Sequence, residues 1–262
     1  MVLIPGGTNA GTDPDFGAYS LIVTSFYMDK CEVTKALWDE VYAWAIANNY
    51  GFDASQDGEG PHGQGKAANH PVHTVNWYDC VKWCNARSQK EGRPAVYTVD
   101  GSVYRTGRAN NVVQTSAVGY RLPMDVEWEY AARGGAASRR FPWGDSNEIQ
   151  HARANYYSSS YYSYDTSSTR EFHPTYNDGI KPYTSPVGSF AANGYRLYDM
   201  AGNVWEWCFD WDPSAVGSYR VFRGGDWDFS AYMCRAGHRS SNPPDFAFHH
   251  YGFRTVLPLS QQ

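Results

Sequence analysis

Residues Gly119–Gly135 read GYRLPMDVEWEYAARGG, and this stretch decides how the rest of the chain is read. Acids at Asp125, Glu127 and Glu129 lead a run that closes on Arg133 before Gly134-Gly135. Acids in a first turn and a cation in a last turn complement the helix dipole, and glycine stops the helix. A short helix from about Asp125 is therefore expected. After it, Phe141-Pro142-Trp143-Gly144 opens a long region without helical periodicity.

Longer helices are expected only upstream of this stretch. Thr34 is placed to cap a helix over Lys35 to Asn48, in which Leu37, Trp38, Val41, Trp44 and Ala45 fall on one face. Asn76 is placed to cap a second through about Lys90, with Gly92 at its end. Tyr97 to Val118 reads as irregular hairpin sequence punctuated by Gly101, Gly107 and Asn110-Asn111, and Gly51 to Asn69 as a surface loop. Leu21 to Met28 alternates like a strand, and so does the opening Met1-Val2-Leu3-Ile4. Downstream, the Ser/Tyr-biased segment Tyr156 to Thr169 is expected to be a solvated loop.

Aromatics make up 16% of the 262 residues, while 25 glycines and 14 prolines are spread along the chain. The rings supply burial and the breakers limit regular structure, so an ordered but irregular fold is expected. The net charge of -5, with Lys and Arg scattered, argues against nucleic acid as a partner. No run approaches the roughly 18 apolar residues of a membrane span. The opening reads as a strand rather than a leader, so a cell-surface or extracellular location is expected if a leader has been removed, and a cytoplasmic one otherwise. Five cysteines are too few and too dispersed for a disulfide framework, and Cys80 and Cys84, on one helix face, read as buried small hydrophobes.

The opening MVLIPGG, the block Tyr27 to Thr34, His70-Pro71-Val72-His73, GYRLPMDVEWEYAARGG, FPWGD, GYRLYDMAGNVWEW, RGGDW and the final GFR occur in this order. Together they resemble the formylglycine-generating-enzyme (sulfatase-modifying factor) family, over nearly the whole chain. That resemblance implies an α+β, C-type-lectin-like fold of low regular secondary structure, with two longer helices packed on short antiparallel sheets. One domain over 1–262 is expected, with a C-terminal variable region at about 223–254.

The resemblance carries three functional branches, to be judged residue by residue. The oxidase that makes formylglycine holds copper on two cysteines just after Arg-Gly-Gly, since soft thiolates select Cu(I). Here Arg223-Gly224-Gly225 is followed by one cysteine, Cys234: counted from the glycines it falls at the second cysteine position with Phe229 at the first, anchored on the tail it falls at neither, and either way the pair is broken. The iron-dependent sulfoxide synthases take two clustered histidine ligands from a helix of an added N-terminal domain, which is not expected of a chain that reads as the lectin-like core. His70 and His73 flank Pro71-Val72 and read as a structural turn, while His249-His250, adjacent on an expected strand, point to opposite faces. Neither copper nor iron is expected.

The third branch, the variable proteins of diversity-generating retroelements, displays a hypervariable binding face on this fold. Its mutagenesis rewrites adenines, typically in asparagine codons, which allows outcomes such as Asn, Asp, His, Tyr, Ser, Phe and Ala but not Lys, Glu, Gln, Met or Trp. From Asp226 to Tyr251 the chain has no Lys, Glu or Gln, and only Trp227 and Met233 lie outside that alphabet. Rigid rings beside small polar groups are also what paratopes use. The expected ligand-binding residues are Asp226, Asp228, Phe229, Ser230, Tyr232, His238, Ser240, Ser241, Asn242, Asp245, Phe246, Phe248, His249, His250 and Tyr251. Arg223, Gly224, Gly225, Arg235, Arg239, Gly252 and Arg254 are expected to hold the backbone beneath them. A protein or other macromolecular ligand suits such a surface better than a buried small molecule. The runner-up reading is an oxidase acting on a cysteine of client peptides.

The family's enzymes also carry structural calcium, which takes hard oxygen donors. The resemblance maps one site to Asp199, the Gly202 and Val204 carbonyls and Glu206, and a second to Asn155, the Tyr156 carbonyl, Asp178 and the Ile180 carbonyl.

Overall fold

The computed structural model describes residues 1–53 and 63–259. In chain order these form β1 (Val2–Ile4), β2 (Gly7–Asp13), β3 (Gly17–Val23), β4 (Phe26–Met28), α1 (Lys35–Ala47), α2 (Trp77–Lys90), β5 (Tyr97–Val99), β6 (Ser102–Val103), β7 (Val113–Gln114), α3 (Asp125–Ala132), β8 (Trp205–Trp211), β9 (Arg220–Arg223), β10 (Ser240–Asn242), β11 (Tyr251–Gly252) and β12 (Val256–Pro258). The class is α+β, and most strands are short. A four-stranded sheet runs β10-β9-β8-β11, a second sheet joins the two ends of the chain as β1-β4-β12, and β2-β3 and β6-β5-β7 complete the set. Pairing is antiparallel except between β11 and β8, which are parallel.

Local chemistry places the helices as expected. Thr34 Oγ1 accepts from Leu37 N and Asn76 Oδ1 from Asp79 N, so each cap satisfies an otherwise orphaned first-turn donor. The helix α2 is buried on every face from Trp77 to Ser88. Its polar groups are therefore paired internally: Lys82 meets Asp79 at 2.9 Å, and the Asn85 amide serves the backbone of Val96, Tyr97 and Tyr104. Indoles join α2 to β8, since Trp77 Nε1 donates to Cys208 O and Trp207 Nε1 to Val75 O, both at 3.0 Å.

Two segments differ from expectation. The alternation over Leu21 to Met28 is split between β3 and β4, because β3 pairs with β2 as a hairpin whereas β4 is the centre of the terminal sheet. Tyr156 to Thr169 is not simply solvated: buried Asp165 accepts from Tyr156 Oη, Ser158 Oγ and the amides of Ser159 and Ser167, anchoring the loop from within. The expected loop Gly51 to Asn69 lies in large part outside the described residues. Cys80 and Cys84 are buried among hydrophobic side chains, as their spacing predicts.

A candidate recognition face at the C-terminal loops

The frame under residues 223–254 is built from buried arginines. Arg223 donates to Asp125 at 2.5 Å, Glu129 at 3.0 Å and the His238 carbonyl at 2.9 Å, which fastens β9 and the following loop to α3. Arg235 lies 3.2 Å from Asp15 and stacks 3.8 Å from the Tyr232 ring. Arg254 grips both oxygens of Glu206 at 2.7 Å. Gly225 has φ +77°, and a side chain there would meet Cys234 Sγ at 2.8 Å, so only glycine lets the backbone turn this close to the loop it supports.

Above that frame, Phe229, Tyr232 and Phe246 are exposed by 42%, 36% and 37%. Tyr162 stacks on Tyr232 at 5.8 Å, and its neighbour Tyr161 is 83% exposed, so the Ser/Tyr loop extends the same aromatic surface. Phe248 packs on Phe246 at 5.3 Å. The half-buried residues Ser240, Ser241 and Asn242 form β10 at one end of the four-stranded sheet, with Ser241 bonded to Asp212. Asp245 faces Arg108 at 3.5 Å, and Ser230 is half-buried, its carbonyl accepting from Met233 N. Exposed large rings on loops of this kind are candidates for interaction sites.

Three expected contact residues are buried instead. Asp226 accepts from the amides of Asp228 and Phe229 through one oxygen, and so builds the turn rather than the surface. His238 is enclosed by Phe16, Trp205 and Tyr232, and its imidazole is pushed down to about 4 by burial and then by Arg235 and Arg223. Tyr251 packs between Trp207 and Phe222 with its hydroxyl on Asn242. The reading of His249-His250 as opposed strand residues is also corrected. The strand begins at Tyr251, the histidines occupy a turn closed by Tyr251 N on Phe248 O, and their rings lie 4.2 Å apart. His70 bonds Thr184, and buried His73 bonds Thr74, consistent with a structural turn.

Cys234 is fully buried, and burial raises its thiol well above the ordinary cysteine range, with Asp226 and Asp165 adding to the effect. Phe229 stands where the first thiol was expected. A buried, protonated thiol is a poor nucleophile and a poor metal ligand.

The two mapped calcium sets differ in how well they suit a cation. Asp199 is buried; one of its oxygens accepts from Gly188 N at 2.6 Å and the other has no hydrogen-bond partner among the described residues. Beside it stands Glu32, also buried, with both oxygens unpartnered. Burial, then Asp199 and Glu206, push the Glu32 carboxyl well above its usual range, and burial raises Asp199 to about 6. Glu206 itself is taken by Arg254 and Trp128. Gly202, at φ +79° with room for no side chain beside Asn155 O, and Asn203, at φ +67°, bend the backbone through this motif, which carries the Val204 carbonyl. In this first set the free Asp199 oxygen, with the Glu32 carboxylate beside it, supplies hard donors that suit calcium, whereas Glu206 is already held by Arg254. The second set is mixed: the Asn155 Oδ1 is buried with no hydrogen-bond partner among the described residues, whereas its other donors already have partners. The Lys66 ammonium already sits 2.7 Å from Asp178 and 3.1 Å from the Ile180 carbonyl, Asn155 donates to Tyr183 O, and the Tyr156 carbonyl faces His151 Nε2.

A cleft of about 490 Å³ lined by Trp143, Arg153, Asn193 and Met200 takes no residue from the 223–254 region. Among the described residues, no helix is long and apolar enough to cross a membrane.

These features define an α+β, lectin-like scaffold, and the chain belongs to the sulfatase-modifying factor enzyme 1-like domain family, whose model matches residues 1–259. It is 30% identical to the chaperone protein LppX of Paenibacillus barcinonensis over 87% of this chain and 78% of that one, and 30% identical to the formylglycine-generating enzyme of Mus musculus over 97% and 74%. Among solved structures it resembles Treponema denticola variable protein 1, with TM-score 0.74 and 25% identity over 99% of this chain and 95% of that one. CarF superposes equally well, with TM-score 0.74 and 27% identity over 99% and 98%.

Sequence reasoning missed Glu32, Tyr161 and Tyr162. Glu32 lies two residues before the capping Thr34, and its neighbour Asp199 is brought to it only by the fold; the tyrosines were hidden by their low-complexity surroundings.

Proposed function

We propose that the chain is a non-catalytic recognition protein whose C-terminal face binds a protein or other macromolecule. The observation that carries this reading is the set of exposed rings Phe229, Tyr232 and Phe246, of which Tyr232 stacks on the buried Arg235. The likeness to Treponema denticola variable protein 1 supports a face of retroelement-diversified type. A near-identical template repeat beside the coding sequence, together with a reverse transcriptase, is the expected genomic signature. Such a face requires presentation at the cell surface or outside the cell. Calcium bound by Asp199, Glu32 and the Gly202 and Val204 carbonyls supplies stability to loops that have few backbone ladders.

The test uses a phage-displayed peptide library selected on the purified chain. Enriched peptides that no longer bind a Phe229→Ser/Tyr232→Ser/Phe246→Ser variant support the reading. Enrichment that is indifferent to the triple variant overturns it.

The second reading, a formylglycine-generating oxidase, is favoured by relatives bearing that name. It requires Cu(I) on Cys234 without a second thiol nearby. Stoichiometric Cu(I) binding abolished by Cys234→Ser, with conversion of a peptide cysteine to an aldehyde, supports that alternative.

A further inference from the structure

The geometry points to a divalent transition-metal site on this face, with Asp228, His249 and His250 as ligands and Asp226 as the residue that orients them. One donor atom from each of the three ligands lies within 4.8 Å of the others. A tetrahedral ion with bonds near 2.0–2.2 Å needs donors roughly 3.3 Å apart, so modest side-chain rotation closes the site. Two imidazoles and one carboxylate suit zinc and its first-row neighbours rather than calcium or magnesium.

What distinguishes this trio from surface residues that merely lie close together is the group behind it. Asp226 is fully buried, and its two oxygens act on both arms of the site. One accepts from Asp228 N at 2.8 Å and Phe229 N at 2.9 Å, fixing the turn that carries Asp228. The other lies 2.8 Å from His250 Nδ1, within ion-pair reach though out of hydrogen-bond alignment, and His250 Nε2 lies 3.9 Å from the Asp228 carboxylate. A small rotation of the ring aligns that contact, and a buried carboxylate on the far nitrogen of a ligating histidine fixes its tautomer and raises its basicity. The histidine turn is equally constrained: Thr74 N donates to Phe248 O at 3.0 Å and Trp205 N to His250 O at 2.8 Å. Trp227 forms the floor, with its ring 5.5 Å from His249 and 5.6 Å from His250. The Lys181 ammonium stands 3.8 Å from Asp228 as the competing cation, and a bound metal displaces it.

Three protein ligands leave a coordination position open to water or to a donor on another molecule. The site does not depend on the face having a macromolecular partner, and the test needs none.

The chain, stripped with chelator, is titrated with Zn²⁺ by calorimetry and with Co²⁺ by visible absorption. The expected result is one ion per chain, with a Co²⁺ d–d band and no sulfur charge-transfer band. His249→Ala and Asp228→Asn, at partly exposed positions, are expected to weaken binding by at least about tenfold while leaving the circular dichroism unchanged, and Asp226→Asn by about 10- to 100-fold. Lys181→Ala is expected to tighten it. The proposal is overturned if the native chain binds no ion stoichiometrically, if affinity is unchanged in both His249→Ala and Asp228→Asn, or if a thiolate band shows that cysteines hold the metal.

Discussion

Arg254 spans the Glu206 carboxylate, with Nε and Nη2 each 2.7 Å from a different oxygen, and both side chains are buried. The same guanidinium donates to the carbonyls of Asp29, Lys30 and Tyr198, so the residue that ends the GFR motif ties the last loops to the first strands. Removing one partner leaves an uncompensated buried charge, which costs about 3–5 kcal/mol. Arg254→Met is expected to lose that amount in urea denaturation. Part of it should return in Glu206→Gln/Arg254→Met, since the double variant buries no lone charge; equal losses in both would show that the carbonyl contacts dominate.

Glu32 and Asp199 lead to a second expectation. Buried carboxylate oxygens without donors favour a bound cation, and a ligand that binds only the native state stabilises it by about 2.7 kcal/mol at 100 times its dissociation constant. Calcium is expected to raise the melting temperature of the chelator-treated chain and to sensitise terbium luminescence through nearby rings. Glu32→Gln should diminish both responses, whereas Asp178→Asn, in the set held by Lys66, should leave them intact. A terbium response indifferent to Glu32→Gln removes Glu32 from the site.

The buried imidazole of His238 sets a pH dependence. It is held down to about 4 against an ordinary 6.5, so between those values the unfolded chain takes a proton that the native chain refuses. The contribution is complete above about 6.5 and is lost as pH falls toward 4. One such proton corresponds to a slope of at most about 1.4 kcal/mol per pH unit. His238→Gln should therefore show a shallower loss of stability between pH 6.5 and 4 than the native chain, whatever its stability at pH 7. Parallel curves would exclude His238 as a source of acid sensitivity.

The helices were legible in the sequence because their determinants are local: Thr34, Asn76 and the acids from Asp125 act within a turn of where they stand. The frame was legible for another reason, since Arg223 and Arg254 sit in motifs whose order marks the family. Which intervening residues face outward was not legible. Asp226, His238 and Tyr251 share the chemistry of their exposed neighbours, and only three-dimensional packing separates them. The histidine pair was misread because a strand was assumed where the chain turns, a boundary set by Phe248 O accepting from both Thr74 N and Tyr251 N.

Phe229 and Trp227 lie two residues apart and are expected to respond unequally to truncation. Trp227 is buried against Tyr183 at 5.2 Å and Phe172 at 5.8 Å, and replacing it with Ala should cost about 3–5 kcal/mol. Phe229 is 42% exposed and packs on His250, so Phe229→Ser should cost only about 1 kcal/mol. Urea denaturation of the two variants checks this. A large loss at Phe229 would mean that the ring is structural, and would weaken the recognition reading.

Thiol reactivity bears most directly on the choice between binding and oxidation. Copper chemistry of the oxidase kind needs accessible thiolates, and the thiolate is also what reacts with disulfide reagents. Cys80, Cys84, Cys208 and Cys234 are buried, and burial raises each thiol. Cys31 is partly exposed, yet burial still pushes it up to about 12. The native chain at pH 8 is therefore expected to react slowly with an aromatic disulfide, and all five cysteines to react once it is unfolded. Cys234→Ser should leave the native trace unchanged. A fast-reacting thiol that disappears in Cys234→Ser would instead place an ionised sulfur next to the aromatic face, and with it the first requirement for metal-dependent oxidation there.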